Sequence, residues 1–455
     1  MKLSKGKKPF SVAFLTLGCK VNYYETEKMI EQFRDRGFVI KDFAQKADVY
    51  IVNTCTVTNI ADRKSRQMLH RAKKKNPEAL VVAVGCYVDS AKEKILEDQT
   101  IDAAFSNKDK KNVAEYIVQR FALHSDEEKQ ETTKVEEGDF TEYGTGALPD
   151  ERTRAYLKIQ DGCNQFCSYC LIPYVRGEGV LVSTPPDEVV NQVEKLVERG
   201  YKEVVLTGIH LSSYGVDLSD EINFVKLEGQ PLLNVIRSVA EIPGLERIRL
   251  GSLEPRIITE NFLQGLVQVK KICPHFHLSL QSGCDSVLKR MNRHYTTVEY
   301  REKVELLRKY FFRPAVTTDV IVGFPGETDE EFEQTRQYLQ EIRFSDIHVF
   351  KYSPRQGTKA AAMENQVPPE VKNNRSDILL ADTAAYQREY AEYFLGKEEN
   401  VLFEELAEED GEEYLTGHNE RYVKIGVLRD EAVSRGFGEN EIHKVTVKKL
   451  INMKK

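Results

Sequence analysis

The sequence predicts an α/β chain in three parts: an N-terminal domain on a parallel sheet, a central partial (β/α)6 barrel of the TIM type, and a small C-terminal β-barrel. Three observations carry this. Between Phe10 and Phe121, short runs that are apolar throughout alternate with amphipathic stretches, the pattern of parallel strands covered on both faces. Six further strand–helix alternations follow within about 200 residues, too few to close an eight-unit barrel. The last sixty or so residues are rich in strand formers and poor in helical periodicity. At 455 residues the chain exceeds one ordinary core, and the expected divisions are 1–123, a linker at 124–150, 151–385 and 386–455.

In the first domain the strands are expected at Ser11–Leu17, Asp48–Val52, Leu80–Val84 and Ile101–Phe105, with helices over Tyr24–Arg36 and Lys110–Phe121. Cys19 follows the first run, Cys55 the second and Cys86 the third. Each therefore falls at the carboxyl end of a parallel strand, where α/β sheets gather ligands. Three thiols delivered to one sheet edge read as a ligand set, against the alternative of three unrelated buried cysteines. The lysines before Phe10 superficially suggest a short signal ending at Cys19, but the apolar stretch reads equally as the first buried strand. No apolar run reaches the roughly 20 residues of a membrane span. With no disulfide-like cysteine framework, a cytoplasmic protein is expected.

After a polar, acidic linker, the barrel strands are expected at Ala155–Ile159, Glu203–Thr207, Arg247–Gly251, His275–Leu280, Thr317–Val322 and Ile347–Tyr352. Behind the first comes Cys163-x3-Cys167-x2-Cys170, at the mouth where such barrels place their chemistry. Three thiolates from one short loop suit a four-iron cluster with one iron left open. Zinc and a small disulfide loop are the competing readings. Gly208 ends the second strand and Glu254 follows the third; Asp319, Val322 and Gly323 end the fifth. Together they describe a pocket in which glycines expose backbone and carboxylates accept from hydroxyl or amino groups.

Charge is distributed unevenly. The net charge of −7 advertises no nucleic acid, yet Asp62–Lys75 carries Arg63, Lys64, Arg66, Arg71 and Lys73 on an expected helix, a candidate phosphate-facing patch. Glu398–Glu413 holds nine acids and no Lys or Arg, and is expected to avoid a phosphate backbone, leaving Arg421, Lys424 and Lys444–Lys449 to face one. C-terminal strands are expected at Val401–Glu405, Tyr422–Leu428 and Lys444–Leu450.

The cysteine loop, with Tyr169 before its last cysteine, resembles the signature of radical S-adenosylmethionine (SAM) enzymes. Its flanks, Gln160-Asp-Gly-Cys through Tyr174-Val-Arg-Gly177, are similar to those of methylthiotransferases, as are Leu17-Gly-Cys-Lys-Val-Asn22, Asn53-Thr-Cys-Thr-Val-Thr-Asn59 and Gly85-Cys86. The wording is closest to the branch that modifies N6-threonylcarbamoyladenosine beside the tRNA anticodon; branches acting on isopentenyladenosine or on a ribosomal-protein side chain are the alternatives. The resemblance implies two [4Fe-4S] clusters, one on Cys163, Cys167 and Cys170 and an auxiliary one on Cys19, Cys55 and Cys86. It also implies SAM held by Tyr169, Gly208, Glu254, Asp319, Val322 and Gly323, and a C-terminal TRAM-like RNA-binding barrel. The implied partners are a tRNA anticodon stem-loop gripped by Arg63–Lys73, a flavodoxin- or ferredoxin-type electron donor and a sulfur source, with no membrane. The implied reaction is radical replacement of the inert C2–H of the target adenine by a methylthio group, chemistry that a cofactor must supply.

Overall fold

The computed structural model describes residues 10–123, 153–218 and 228–451, so the expected linker lies outside the described residues. The chain forms two compact units, Met1–Leu148 with Leu171–Val180, and Pro149–Cys170 with Leu181–Lys455. The decapeptide that follows Cys170 thus packs with the first unit.

In the first unit, strands β1 (Ser11–Thr16), β2 (Val39–Lys41), β3 (Val49–Thr54), β4 (Leu80–Gly85) and β5 (Ala103–Phe105) form a fully parallel sheet in the order β2-β1-β3-β4-β5. Every residue of β3 and β4 is buried, because helices cover both faces. One face packs Tyr50, Val52, Val81 and Ala83 against Leu69 and Ala72 of helix Asn59–Lys75; the other packs Ile51, Val82 and Val84 against Phe33 and Ile117. The short strand β2 was not expected from the sequence. Its residues are only partly covered, as befits an edge.

The second unit contains strands β6 (Arg154–Asp161), β7 (Val182–Ser183), β8 (Glu203–Gly208), β9 (Arg247–Leu250), β10 (His275–His277), β11 (Ala315–Val322) and β12 (Asp346–Lys351). The six expected barrel strands are all present and parallel, in the order β6-β8-β9 and β10-β11-β12, and single bridges Ile248↔Ile272 and Leu253↔Leu278 join the two runs. The two-residue β7 adds an antiparallel edge. Helix Pro369–Glu392, 24 residues long, packs against β12. Polar residues such as Lys372 and Arg375 share its buried face with Leu379 and interrupt the apolar stripe, which hides it from a reading by periodicity.

The C-terminal sheet is antiparallel, with strands β13 (Glu398–Glu409), β14 (Glu412–Asn419), β15 (Lys424–Leu428), β16 (Ile442–Thr446) and β17 (Lys449–Leu450) in the order β16-β13-β14-β15-β17. The acidic run does not stand apart from the basic residues here. Ion pairs join Glu405 to Lys424 (2.9 Å), Glu398 to Lys444 (2.7 Å) and Asp410 to Lys449 (2.8 Å). The expected division into a solvent-facing acidic side and an RNA-facing basic side is corrected accordingly. This sheet is seated on the barrel by a buried ionic cluster. Glu203 accepts from Arg249 at 2.8 Å and pairs with Arg154 (3.2 Å) and Arg247 (3.6 Å), while Tyr422 lies between the guanidiniums of Arg154 and Arg249, each 4.9 Å from its ring centre. Arg247 and Arg249 also donate to the carbonyls of His418, Asn400 and Glu420.

Candidate active site

The amino-terminal motifs fold into a device that ties three strand ends together. Asn22 donates to the carbonyls of Leu17 (2.7 Å) and Thr54 (3.0 Å), and Asn53 donates to the Asn22 carbonyl (2.8 Å). The hydroxyl of Thr54 donates to Val84 (2.6 Å) and accepts the amide of Tyr87 (3.2 Å). Cys19, Cys55 and Cys86 are thereby fixed at the ends of β1, β3 and β4. Gly18 has φ +105°, and a Cβ there would stand 3.0 Å from the Cys55 sulfur, so the glycine keeps the Cys19 loop against Cys55. Burial pushes the Cys55 thiol up to about 11, and the neighbouring Cys86 and Cys19 add to the rise. A thiol in such a place is inert until a bound metal takes the proton's position. The donor set of three clustered sulfurs fits an iron–sulfur centre with one iron left without a protein ligand.

Asn107, which sequence reasoning missed, joins this trio to the decapeptide that follows Cys170. Its amide nitrogen lies 3.4 Å from the Cys86 sulfur, 2.8 Å from Asp89 and 3.0 Å from the Val175 carbonyl. Arg176 in the same decapeptide is buried and donates to Asn22 and Glu25, each at 2.9 Å, and Lys110 pairs with Glu25 at 2.5 Å.

In the second unit the Cys163–Cys170 loop is held from below by the segment after Leu288. Ser168 donates through its amide to Met291 (3.0 Å) and through its hydroxyl to Arg290 (2.8 Å), and Asn292 donates to Phe166 (3.0 Å). Arg293 donates to the Cys167 sulfur at 3.1 Å. Nearby Arg290 is occupied by Glu331 at 2.6 Å. Burial lifts the Cys163 thiol to about 11, with Arg293 opposing the rise. All eight cysteines are free, which disposes of the disulfide reading. Tyr169 is set edge-on to Phe324 (6.4 Å between ring centres) and packs against the buried cluster that includes Phe324 and Tyr352.

The remaining expected cofactor contacts sit at the strand ends among protein neighbours of their own. A Cβ on Gly208 would meet Gln160 at 2.9 Å, and one on Gly323 would meet Lys372 at 2.3 Å, so both glycines admit a neighbouring side chain. The Gly323 amide donates to Glu327 (3.0 Å), the Gly326 amide to Asn365 (2.9 Å), and the Val322 carbonyl accepts from Tyr352 (2.9 Å). Glu254 is buried and grips Arg256 at 2.7 Å, which in turn donates to Gln165 of the cysteine loop at 2.9 Å. Asp319 lies between His277 and His348, 3.2 Å from each. Although burial opposes it, hydrogen bonds from both imidazoles hold its carboxyl well below the usual range. His210, just beyond β8, has Nδ1 against Ser213 at 2.6 Å and a buried, unpartnered Nε2; burial, reinforced by Arg293 and Arg256, lowers it to about 3, so it is neutral.

On helix Asn59–Lys75, Arg63, Lys64, Arg66 and Arg71 are exposed. Lys73 is engaged, donating to Asp102 (2.9 Å) and to the Ala79 carbonyl (3.0 Å). Thr58, part of the branch-specific wording, caps this helix by accepting from Ala61 at 3.1 Å.

Comparison with known proteins agrees with this geometry. The radical SAM superfamily matches residues 157–339, and the family described as UPF0004 matches residues 11–106. The threonylcarbamoyladenosine tRNA methylthiotransferase MtaB of Bacillus subtilis is 42% identical over 420 residues, covering 91% of this chain and 90% of that protein. The protein of the same name from Aquifex aeolicus is 37% identical, covering 92% and 98%. A tRNA-2-methylthio-N(6)-dimethylallyladenosine synthase from Caldicellulosiruptor saccharolyticus is 34% identical, covering 86% and 81%. Among solved structures, the radical SAM methyltransferase TsrM from Kitasatospora setae aligns with a TM-score of 0.53 at 14% identity, over 78% of this chain and 77% of that one, a likeness of fold. No helix among the described residues is long and apolar enough to cross a membrane.

Proposed function

The chain belongs to the radical SAM methylthiotransferase family, and from that premise we propose that it methylthiolates C2 of N6-threonylcarbamoyladenosine at tRNA position 37. The observation that carries this reading is the pairing of two three-cysteine sites, one per unit, with the greater likeness to relatives named for that nucleoside (42% against 34%). Cys163, Cys167 and Cys170 would hold one [4Fe-4S] cluster and Cys19, Cys55 and Cys86 the other. When bound, the clusters and SAM supply the radical and the sulfur-transfer chemistry that protein side chains cannot.

The chain's own residues position and shield. Arg293 sets a cation on Cys167, and Glu254 through Arg256 steadies Gln165 in the cysteine loop. Tyr169 and neutral His210 are our candidates for touching SAM, since His210 keeps a buried nitrogen unpartnered at the strand end. Asn22, Asn53 and Thr54 hold the second thiol trio in register. Exposed Arg63, Lys64, Arg66 and Arg71 would neutralise anticodon-stem phosphates, and the anticodon loop offers its base at little unstacking cost. An electron donor of the flavodoxin or ferredoxin type and a sulfur source complete the set of partners.

The relatives named for dimethylallyladenosine carry the second reading. Mass spectrometry of tRNA nucleosides from a deletion strain separates the two. Loss of the methylthio form of threonylcarbamoyladenosine alone supports the assignment; its persistence, with the isopentenyl species or a ribosomal protein altered instead, overturns it.

A further inference from the structure

We propose that His277, Asp319 and His348 form a site for one divalent transition-metal ion, zinc in the first instance, on the concave face of the barrel. The three residues sit on adjacent strands, and Asp319 and His348 are direct register partners. Side chains alternate along β11: Thr318 and Val320 are buried on the helix-covered side, where Tyr300 reaches Thr318, so Asp319 and Ile321 point the other way. Ile321 packs against the buried cluster around Phe324 and Tyr352 that also receives Tyr169 of the cysteine loop. Asp319 therefore lies one inward step, roughly 7 Å along the strand, from a residue that packs on that same cluster.

The spacing is that of ligands around an ion. One potential ligand atom from each residue lies within 4.8 Å of the others, with His277 Nε2 and His348 Nδ1 each 3.2 Å from a different oxygen of Asp319. Two atoms bound at about 2.0–2.2 Å and subtending 90–110° stand roughly 3.0–3.5 Å apart. Each imidazole is also oriented by its other nitrogen. His277 Nδ1 is 3.0 Å from the Thr317 hydroxyl, and His348 Nε2 is 3.6 Å from Asp346, itself bonded by Gln387. Such outer partners leave Nε2 of His277 and Nδ1 of His348 free to ligate. Two imidazoles and a carboxylate, with no thiolate, suit zinc, ferrous iron or a similar first-row ion and leave coordination open to water or an oxygen ligand in the barrel. His348 is about half exposed, which provides a route of access. In this assignment Asp319 serves the ion and not SAM.

The test uses anaerobically reconstituted holoenzyme dialysed against zinc, followed by elemental analysis and zinc X-ray absorption. The expected result is about one zinc per chain with a nitrogen/oxygen shell near 2.0–2.1 Å and no sulfur near 2.3 Å. His348→Ala should weaken zinc binding by at least tenfold while iron content stays unchanged. Asp319→Asn, which preserves shape, should do the same if His348→Ala loads iron poorly. Absence of stoichiometric zinc, a sulfur shell, or zinc retained at full affinity in both variants would overturn the site and leave the trio a proton-linked packing cluster.

Discussion

Arg293 offers the sharpest test of how this chain tunes its chemistry. Its guanidinium donates to the Cys167 sulfur at 3.1 Å, and burial works against its charge while Tyr295 and Cys167 sustain it. With a cluster on Cys167, the cation would sit about 5 Å from the charge that one-electron reduction adds. At an effective dielectric near 20, two unit charges at that distance interact by about 3 kcal/mol. For one electron this corresponds to roughly 130 mV, taking 59 mV per 1.4 kcal/mol. The cation favours the reduced, more negative state, so Arg293→Met should lower the midpoint potential of this cluster by about 100 mV. Arg293→Lys should recover most of that. The assay is a redox titration of reconstituted protein followed by electron paramagnetic resonance, with iron content confirming that the variants load. A shift below about 30 mV, or an upward one, would refute the argument and reduce Arg293 to a packing residue.

Three further outcomes are expected. Glu203 is fully buried; burial would raise its carboxyl, but Arg249, Arg154 and Arg247 bring it down from 4.5 to about 2. Its stabilisation is present above the unfolded value, near pH 4.5 and higher, and is lost as pH falls toward 2; Glu203→Gln, leaving three arginines short of their acid, should cost about 3–5 kcal/mol in urea unfolding at pH 7. Cys19→Ala should lose about half the iron and all methylthio transfer yet still cleave SAM reductively, measured by 5′-deoxyadenosine release, because the other trio lies in the second unit. Replacing Arg63 and Arg66 together by Ala should weaken tRNA binding and reduce its salt slope by about 2, whereas Lys73→Ala, which breaks the Asp102 contact, should lower stability without changing the slope.

What the sequence could reveal depended on whether the needed partner was near or far along the chain. The strand-end positions of Cys19, Cys55 and Cys86 were legible because each follows its own apolar run, a local signal. The neighbours of the glycines were not legible, for the opposite reason. A strand-end glycine announces close approach but not by what, and the approaching atoms belong to Gln160, 48 positions from Gly208, and Lys372, 49 positions from Gly323. Charge behaved likewise. The basic character of Arg293 was plain, but the sulfur it faces is 126 residues away; the acids at 398–410 looked hostile to RNA until folding of the sheet brought lysines from distant positions within ion-pair reach of them. The strongest case is His277, Asp319 and His348, which belong to three separate strands and share no motif spacing. Parallel connections must return each strand in the same direction, so residues at matching heights on successive strands become neighbours however long the crossover. In a barrel of this kind, chemistry is assembled by strand register, and a motif reader sees only one strand of it at a time.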